Sequence, residues 1–159
     1  MNIFLIGPSG VGKTSCARHA SVVLRAEHID LDVLCTGRQF DWHFCQQVLD
    51  DLESQTYIGG AVGIVDIGAG IQCSPELRQY LVQRQDRVVL NFAPALEVIR
   101  RNPCGPDRSP EEYKAIEYES RQDLYSAAVH VVDVLGRSEA AAHQLFIECL
   151  TEDLGIQSR

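Results

Sequence analysis

The chain has 159 residues, 45% hydrophobic and 23% charged, with 14 basic against 22 acidic side chains and a formal net charge of −8. That size and composition read as one soluble globular domain, and the acidic field disfavours a nucleic-acid or anionic-membrane partner. No stretch has the length of a membrane span, and six scattered cysteines (16, 35, 45, 73, 104 and 149) with no C-x-x-C pair read as buried free thiols of a reducing, cytoplasmic compartment.

Ile3-Phe4-Leu5-Ile6 reads as a short buried strand feeding Gly7-Pro8-Ser9-Gly10-Val11-Gly12-Lys13-Thr14, which fits G-x-x-x-x-G-K-[ST] in full. Glycines let the backbone curl so that successive N–H groups point into one concavity at the start of a helix, expected over 14 to about 24. Lys13 then supplies a mobile positive charge to the β- and γ-phosphates, and Thr14 a hydroxyl for Mg²⁺. With a strand before and a helix after, a nucleotide site is expected in preference to an ordinary glycine-rich turn.

A second strand closes at Asp30, and Asp30 and Asp32 follow as D-x-D. In an extended segment residues two apart share a side, so both carboxylates are expected to face one ligand edge. One would hold Mg²⁺ through water and the other accept a proton from an attacking hydroxyl; a solvated turn is the plainer alternative. A helix is expected over about 40–52, with Phe40, Phe44, Val48 and Leu52 on one face. A central strand follows over 61–67. Asp66 inside that apolar run is costly to bury unless paired or near a metal, which suggests a Walker B role orienting Mg²⁺; a strand-end aspartate bonded to backbone is the alternative. Gly68-Ala69-Gly70 lets a substrate approach the backbone closely.

Ser74-Pro75-Glu76 starts a helix that runs to about 84, with Ser74 as its cap. A fourth strand (87–92) and a short helix (94–101) lead to a loop at 102–110 that contains Pro103, Gly105, Pro106 and Pro110. Arg100, Arg101 and Arg108 flank this loop, as lid arginines closing over ATP or as plain surface residues. A charged, exposed helix is expected over 111–127, a fifth strand over 128–134, and a closing helix over 138–150 capped by Ser138. Strands spaced by helices imply a parallel sheet covered on both faces, with ligands beyond the strands' carboxyl ends. The expected organisation is one domain, 1–159, with a lid at about 102–112 and an acceptor-binding region at about 31–58.

Taken together these residues resemble the shikimate kinase family of small P-loop metabolite kinases. Four features carry the resemblance: the 7–14 loop; Asp30-Leu31-Asp32; Gly68-Ala69-Gly70 followed by Ser74-Pro75-Glu76-Leu77; and Gly105-Pro106-Asp107-Arg108 followed by a segment from Glu119 to Tyr125 similar to the family's E-R-x-x-x-Y helix. The resemblance implies an α/β fold, a three-layer α/β/α P-loop kinase with a five-stranded parallel sheet of order 2-3-1-4-5. It also implies ATP and Mg²⁺. Gly7, Pro8, Ser9, Gly10, Val11, Gly12, Lys13, Thr14 and Ser15 would surround the phosphates, and Thr14, Asp30 and Asp66 would serve the metal. Lys13, Asp32 and the lid residue Arg101 are the implied catalytic groups, with Asp32 meeting the acceptor hydroxyl. Gly68, Ala69 and Gly70 would line the acceptor pocket, and Arg121 would clamp a substrate carboxylate.

The implied partner is a small-molecule acceptor, a carboxylate-bearing polyol among the candidates, and the implied state a monomer or weak dimer. One segment departs from the family. Its G-E-x-x-F-R region reads Gly37-Arg38-Gln39-Phe40-Asp41-Trp42-His43-Phe44-Cys45 here, with Cys45 where an arginine is expected and Arg38 nearby. Ala69 also interrupts the glycine turn. The expected function is ATP- and Mg²⁺-dependent phosphoryl transfer to a hydroxyl of a small metabolite. Two alternatives stay open: a nucleotide or nucleoside kinase in which Trp42 and Phe44 stack a base, and a P-loop protein that binds nucleotide without transfer.

Overall fold

Ile3, Phe4, Leu5 and Ile6 are all fully buried, because β1 (Asn2–Ile6) is the middle strand of a sheet covered on both faces. The computed structural model describes residues 1–35, 41–59, 62–101 and 108–157. Around β1 lie β2 (Glu27–Asp30), β3 (Gly63–Asp66), β4 (Val88–Phe92) and β5 (His130–Asp133), in the order β2-β3-β1-β4-β5 with every neighbouring pair parallel. This is the expected order.

The helices are α1 (Lys13–Leu24), α2 (Leu31–Cys35), α3 (Trp42–Gly59), α4 (Pro75–Val82), α5 (Ala95–Arg101), α6 (Pro110–Glu117), α7 (Gln122–Ser126) and α8 (Glu139–Glu148). Successive strand residues point to opposite faces. Ile3 and Leu5 therefore pack with Ala17 and Ala20 of α1, Val98 of α5 and Phe146 of α8. Phe4 and Ile6 pack with Cys45 and Leu49 of α3, Leu77 and Leu81 of α4 and Leu124 of α7. The expected caps form: Ser74 Oγ accepts from the Leu77 N–H at 3.3 Å with Pro75 in the first turn, and Ser138 Oγ accepts from the Ala141 N–H at 3.2 Å.

Several elements differ from their expected form. Helix α3 runs on to Gly59, and among its described side chains the fully buried ones are Cys45 and Leu49, with Trp42, Val48 and Leu52 packed beside them. The core-facing stripe is thus set one residue from the expected one; Phe40 lies outside the described residues. The expected helix over 111–127 is two helices joined by a 3₁₀ turn at Glu119–Arg121, because Tyr118 leaves helical geometry at φ −120°, ψ −58°. Nor is that segment wholly exposed: Tyr113, Glu117, Arg121, Leu124 and Tyr125 are buried. Of the expected lid, residues 102–107 lie outside the described set, and Ser109 opens α6 in a capping box with Glu112. Cys16, Cys45 and Cys149 are buried free thiols, whereas the free Cys73 is exposed. Among the described residues no helix is long and apolar enough to cross a membrane.

Candidate active site

The carboxyl ends of β1, β2 and β3 converge on the phosphate loop. Gly7 leaves β1 at φ +143°, and a Cβ there would meet the Asn91 carbonyl oxygen at 2.3 Å, so only glycine fits. Helix α1 begins at Lys13 with no side-chain cap and no acidic residue in its first turn, which leaves its N-terminal N–H groups open toward the cleft. Lys13 is 7% exposed, and its Nζ donates to the carbonyls of Gly7 at 3.0 Å and Pro8 at 3.1 Å. Burial lowers its pKa, while Asp66 and Glu117 pull it back up.

Register sets the carboxylates side by side: Asp30 pairs with Asp66 across β2 and β3, and Leu5 flanks Asp66 on β1. Thr14 Oγ1 donates to Asp66 Oδ2 at 2.5 Å, and the other oxygen of this buried aspartate has no partner among the described residues. The Thr14 hydroxyl and the two carboxylates of Asp30 and Asp66 are an all-oxygen donor set, suited to a hard divalent cation.

The D-x-D segment is not extended as expected. The chain turns helical directly after Asp30, so Asp32 stands in the first turn of α2. Asp30 Oδ1 accepts from the Val33 N–H at 3.1 Å, bracing that turn while lining the cleft. Both carboxylates still reach one cleft, by a helical turn rather than by strand alternation. Asp32 is seated against Gly68: a Cβ on that glycine would lie 1.7 Å from Asp32 Oδ2. Partial burial pushes the Asp32 carboxyl above the ordinary range, Asp30 and Asp66 push it further, and Lys13 opposes them.

The cleft has a volume of about 530 Å³ and brings together Ser9, Gly10, Gly12, Lys13, Thr14 and Ser15 with Asp30, Asp32, Asp66 and the Gly68-Ala69-Gly70 turn. Arg101 stands apart. It borders a second cleft of about 250 Å³ on the far side of Gly10 and Gly12, where Nη2 pairs with Glu97 at 2.8 Å and Nη1 donates to the Val134 carbonyl at 3.3 Å. Ser15 reaches both clefts, and its Oγ lies 2.8 Å from His143 Nε2.

Two residues that sequence reasoning passed over control the loop. Gln72 is fully buried; its Oε1 accepts from the Gly7 N–H at 3.3 Å, and its Nε2 donates to the carbonyls of Gly7 at 3.1 Å and Ile67 at 2.8 Å. One side chain thus ties the first glycine of the phosphate loop to the acceptor-side turn. No spacing rule signals it; a polar residue after the glycine turn was the sole hint. Glu117 is 3% exposed, accepts from the Ser9 N–H at 2.9 Å, and forms a short ion pair with Arg121. The i, i+4 spacing of these two was the readable signal.

Arg121, expected to clamp a substrate carboxylate, is 1% exposed: Nη1 pairs with Glu117, Nη2 lies 3.6 Å from Cys73 Sγ, and Nε has no hydrogen-bond partner among the described residues. Cys45, at the position of the expected second clamp arginine, is a core residue. Trp42, weighed as a stacking platform for a base, packs edge-on against Tyr80 with ring centroids 5.9 Å apart.

No model of a known protein family matches the chain. It is similar to the shikimate kinase of Acinetobacter baylyi, 28% identical over 163 residues that cover 91% of this chain and 87% of the relative. The shikimate kinase of Shewanella amazonensis is 29% identical, covering 97% of this chain and 96% of the relative. Among solved structures, the shikimate kinase from Acinetobacter baumannii in complex with shikimate superposes with a TM-score of 0.66 at 26% identity, covering 97% of this chain and 93% of that one. These likenesses bear out the expected resemblance, the P-loop kinase fold and the expected class, a small-molecule kinase.

Proposed function

We propose that the chain transfers the γ-phosphoryl group of ATP, with Mg²⁺, to a hydroxyl of a small metabolite, in the manner of the shikimate kinases it resembles. The observation that carries this reading is the seating of Asp32 on Gly68, inside the same cleft as Lys13 and the phosphate loop. A protein that only bound nucleotide has no use for a carboxylate held at the acceptor side.

The open N–H groups of the loop and of the first turn of α1 bind phosphate oxygens. Lys13 exchanges the Gly7 and Pro8 carbonyls for those oxygens, regaining in charge-assisted bonds what it gives up to neutral carbonyls. Thr14, Asp30 and Asp66 would hold Mg²⁺, which when bound neutralises charge on the phosphates. Asp32 orients the acceptor hydroxyl and takes its proton; a carboxylate more basic than usual suits that role. Arg101, across the loop in the second cleft, is the candidate for a guanidinium neutralising the nucleotide's phosphates.

The test is Asp32→Asn, which keeps the shape and removes the base. Transfer is expected to fall by about 10²–10⁴-fold while ATP affinity holds. Activity within a factor of about three of the unaltered protein would remove Asp32 from the mechanism.

A further inference from the structure

The end of the sheet remote from the phosphate cleft gathers three side chains that phosphoryl transfer does not use. His130 opens β5, so it lies at the amino ends of the parallel strands, whereas the cleft sits at their carboxyl ends. Beside it, α8 widens after Glu148 into a π-turn, Cys149–Asp153, in which the Leu154 N–H donates to the Cys149 carbonyl at 3.2 Å. Residues four apart on such a turn share a face, and π-turns recur at functional sites. A ring nitrogen of His130, Cys149 Sγ and a carboxylate oxygen of Asp153 all lie within 4.8 Å of one another. The thiol is buried, the imidazole half-buried and the carboxylate exposed. A cleft of about 340 Å³ adjoins them along β5 and α8, and its described lining carries Asp133, Glu148, Glu152 and Asp153 against Arg137. That excess of negative charge favours a divalent cation.

We infer that His130, Cys149 and Asp153 form a zinc site that fastens the turn after α8 to the edge strand β5. The site is independent of the phosphoryl-transfer reading. A thiol donating to a carboxylate is the plainer arrangement, and Cys149 does donate to Asp153; that bond, however, has no use for an imidazole. Thiolate, imidazole and carboxylate together are the ligand types of zinc, whereas Mg²⁺ prefers an all-oxygen set, so the two ends of the sheet sort the two metals. Tetrahedral zinc at about 2.0–2.3 Å from its ligands sets the donor atoms roughly 3.3–3.8 Å apart. Rotation of the half-buried His130 and the exposed Asp153 closes the trio to that spacing and leaves a fourth position to water. Coordination replaces the thiol's bond to Asp153, and the thiol proton passes to solvent. Because strand and turn meet only in the folded chain, the metal stabilises that state by mass action.

The test uses the full chain, stripped with a chelator, to which Zn²⁺ or its spectroscopic stand-in Co²⁺ is added with Mg²⁺ in excess. The expected result is one Zn²⁺ retained per chain and, with Co²⁺, a thiolate-to-cobalt charge-transfer band. Zn²⁺ at about 100 times its dissociation constant should raise Tm by about 5 °C or more, reversibly on chelation. Asp153→Asn and His130→Gln, both at accessible positions, should keep the fold and weaken binding by at least the 10–100-fold, roughly, that changes around the ligands of a metal cost. Cys149→Ser should abolish the cobalt band; if that buried change unfolds the chain, the two accessible variants decide. His143→Gln is the control, because His19 and His143, with ring centroids 4.5 Å apart, are the competing imidazoles. It should leave zinc affinity unchanged. Absence of the cobalt band from the unaltered protein overturns the inference, as does a band that survives Cys149→Ser or an affinity that survives Asp153→Asn and His130→Gln. Loss of zinc in His143→Gln, or its displacement by Mg²⁺, overturns it equally.

Discussion

Gly68→Ala puts the account of Asp32 at most direct risk. Gly68 is not in the left-handed region, so alanine is tolerated by its backbone, and the perturbation is a single methyl group. That methyl would lie 1.7 Å from Asp32 Oδ2 and 1.8 Å from its Cγ. Reaching ordinary contact requires the carboxylate to retreat by roughly 1.5–2 Å, and misplacement by about 1 Å of a reacting group costs on the order of 10²-fold in rate. The expected outcome is a kcat lower by about 10²-fold or more, with ATP affinity changed by less than about threefold, because the phosphate loop is untouched. Steady-state ADP release gives the first number, and titration with a fluorescent ATP analogue the second. Gly70→Ala is the control for folding and nucleotide binding: a Cβ there meets no protein atom within 4 Å, so ATP affinity should be unchanged. A Gly68→Ala protein with kcat within about threefold of the unaltered one would refute the placement of Asp32 at the reacting hydroxyl.

The remaining predictions concern the same cleft. The Asp32 carboxyl, followed by ¹³C NMR in the ligand-free protein, is expected to titrate above the ordinary aspartate value of about 3.9, since burial, Asp30 and Asp66 all raise it. A titration at or below that value would remove the electrostatic crowding described above. A raised pKa contributes stability that is present below the unfolded value and lost as pH rises through the folded one, so at pH 7 Asp32→Asn should melt no lower than the unaltered protein. Gln72→Met conserves volume but deletes three hydrogen bonds to Gly7 and Ile67. The Gly7 carbonyl keeps Lys13 as a donor, so two backbone groups are stranded at about 1–3 kcal/mol each. At about 2–4 °C per kcal/mol for a chain of this size, Tm should fall by about 4 °C or more. The nucleotide dissociation constant should rise about tenfold; unchanged ATP binding would show that the brace is dispensable.

Much of this was legible in the chain before any coordinates. The phosphate loop is readable because its requirements are local: Gly7 needs a positive φ and bare space, and Lys13 and Thr14 must follow in the first turn of a helix. Sheet order came from the resemblance. What was not legible depended on contacts distant in sequence. Gln72 reaches Gly7 across 65 positions and Glu117 reaches Ser9 across 108, and no spacing rule reports such pairs. The Asp30–Asp32 geometry was misread because α2 starts one residue after β2, an abrupt change of period that the short D-x-D segment does not announce. The 111–127 helix was misread because its charged residues suggested solvent on every side, whereas Glu117 and Arg121 neutralise each other in the interior.

The central claim is that this cleft moves a phosphoryl group from ATP to a small hydroxylated molecule. Its most direct test is mass-spectrometric detection of a phosphorylated acceptor after incubation with ATP and Mg²⁺, across a panel of shikimate, neutral polyols and nucleosides. The account predicts a phosphorylated acceptor, dependent on Mg²⁺ and lost in Asp32→Asn. ATP bound tightly with no acceptor ever phosphorylated would contradict it and leave a nucleotide-binding protein in its place.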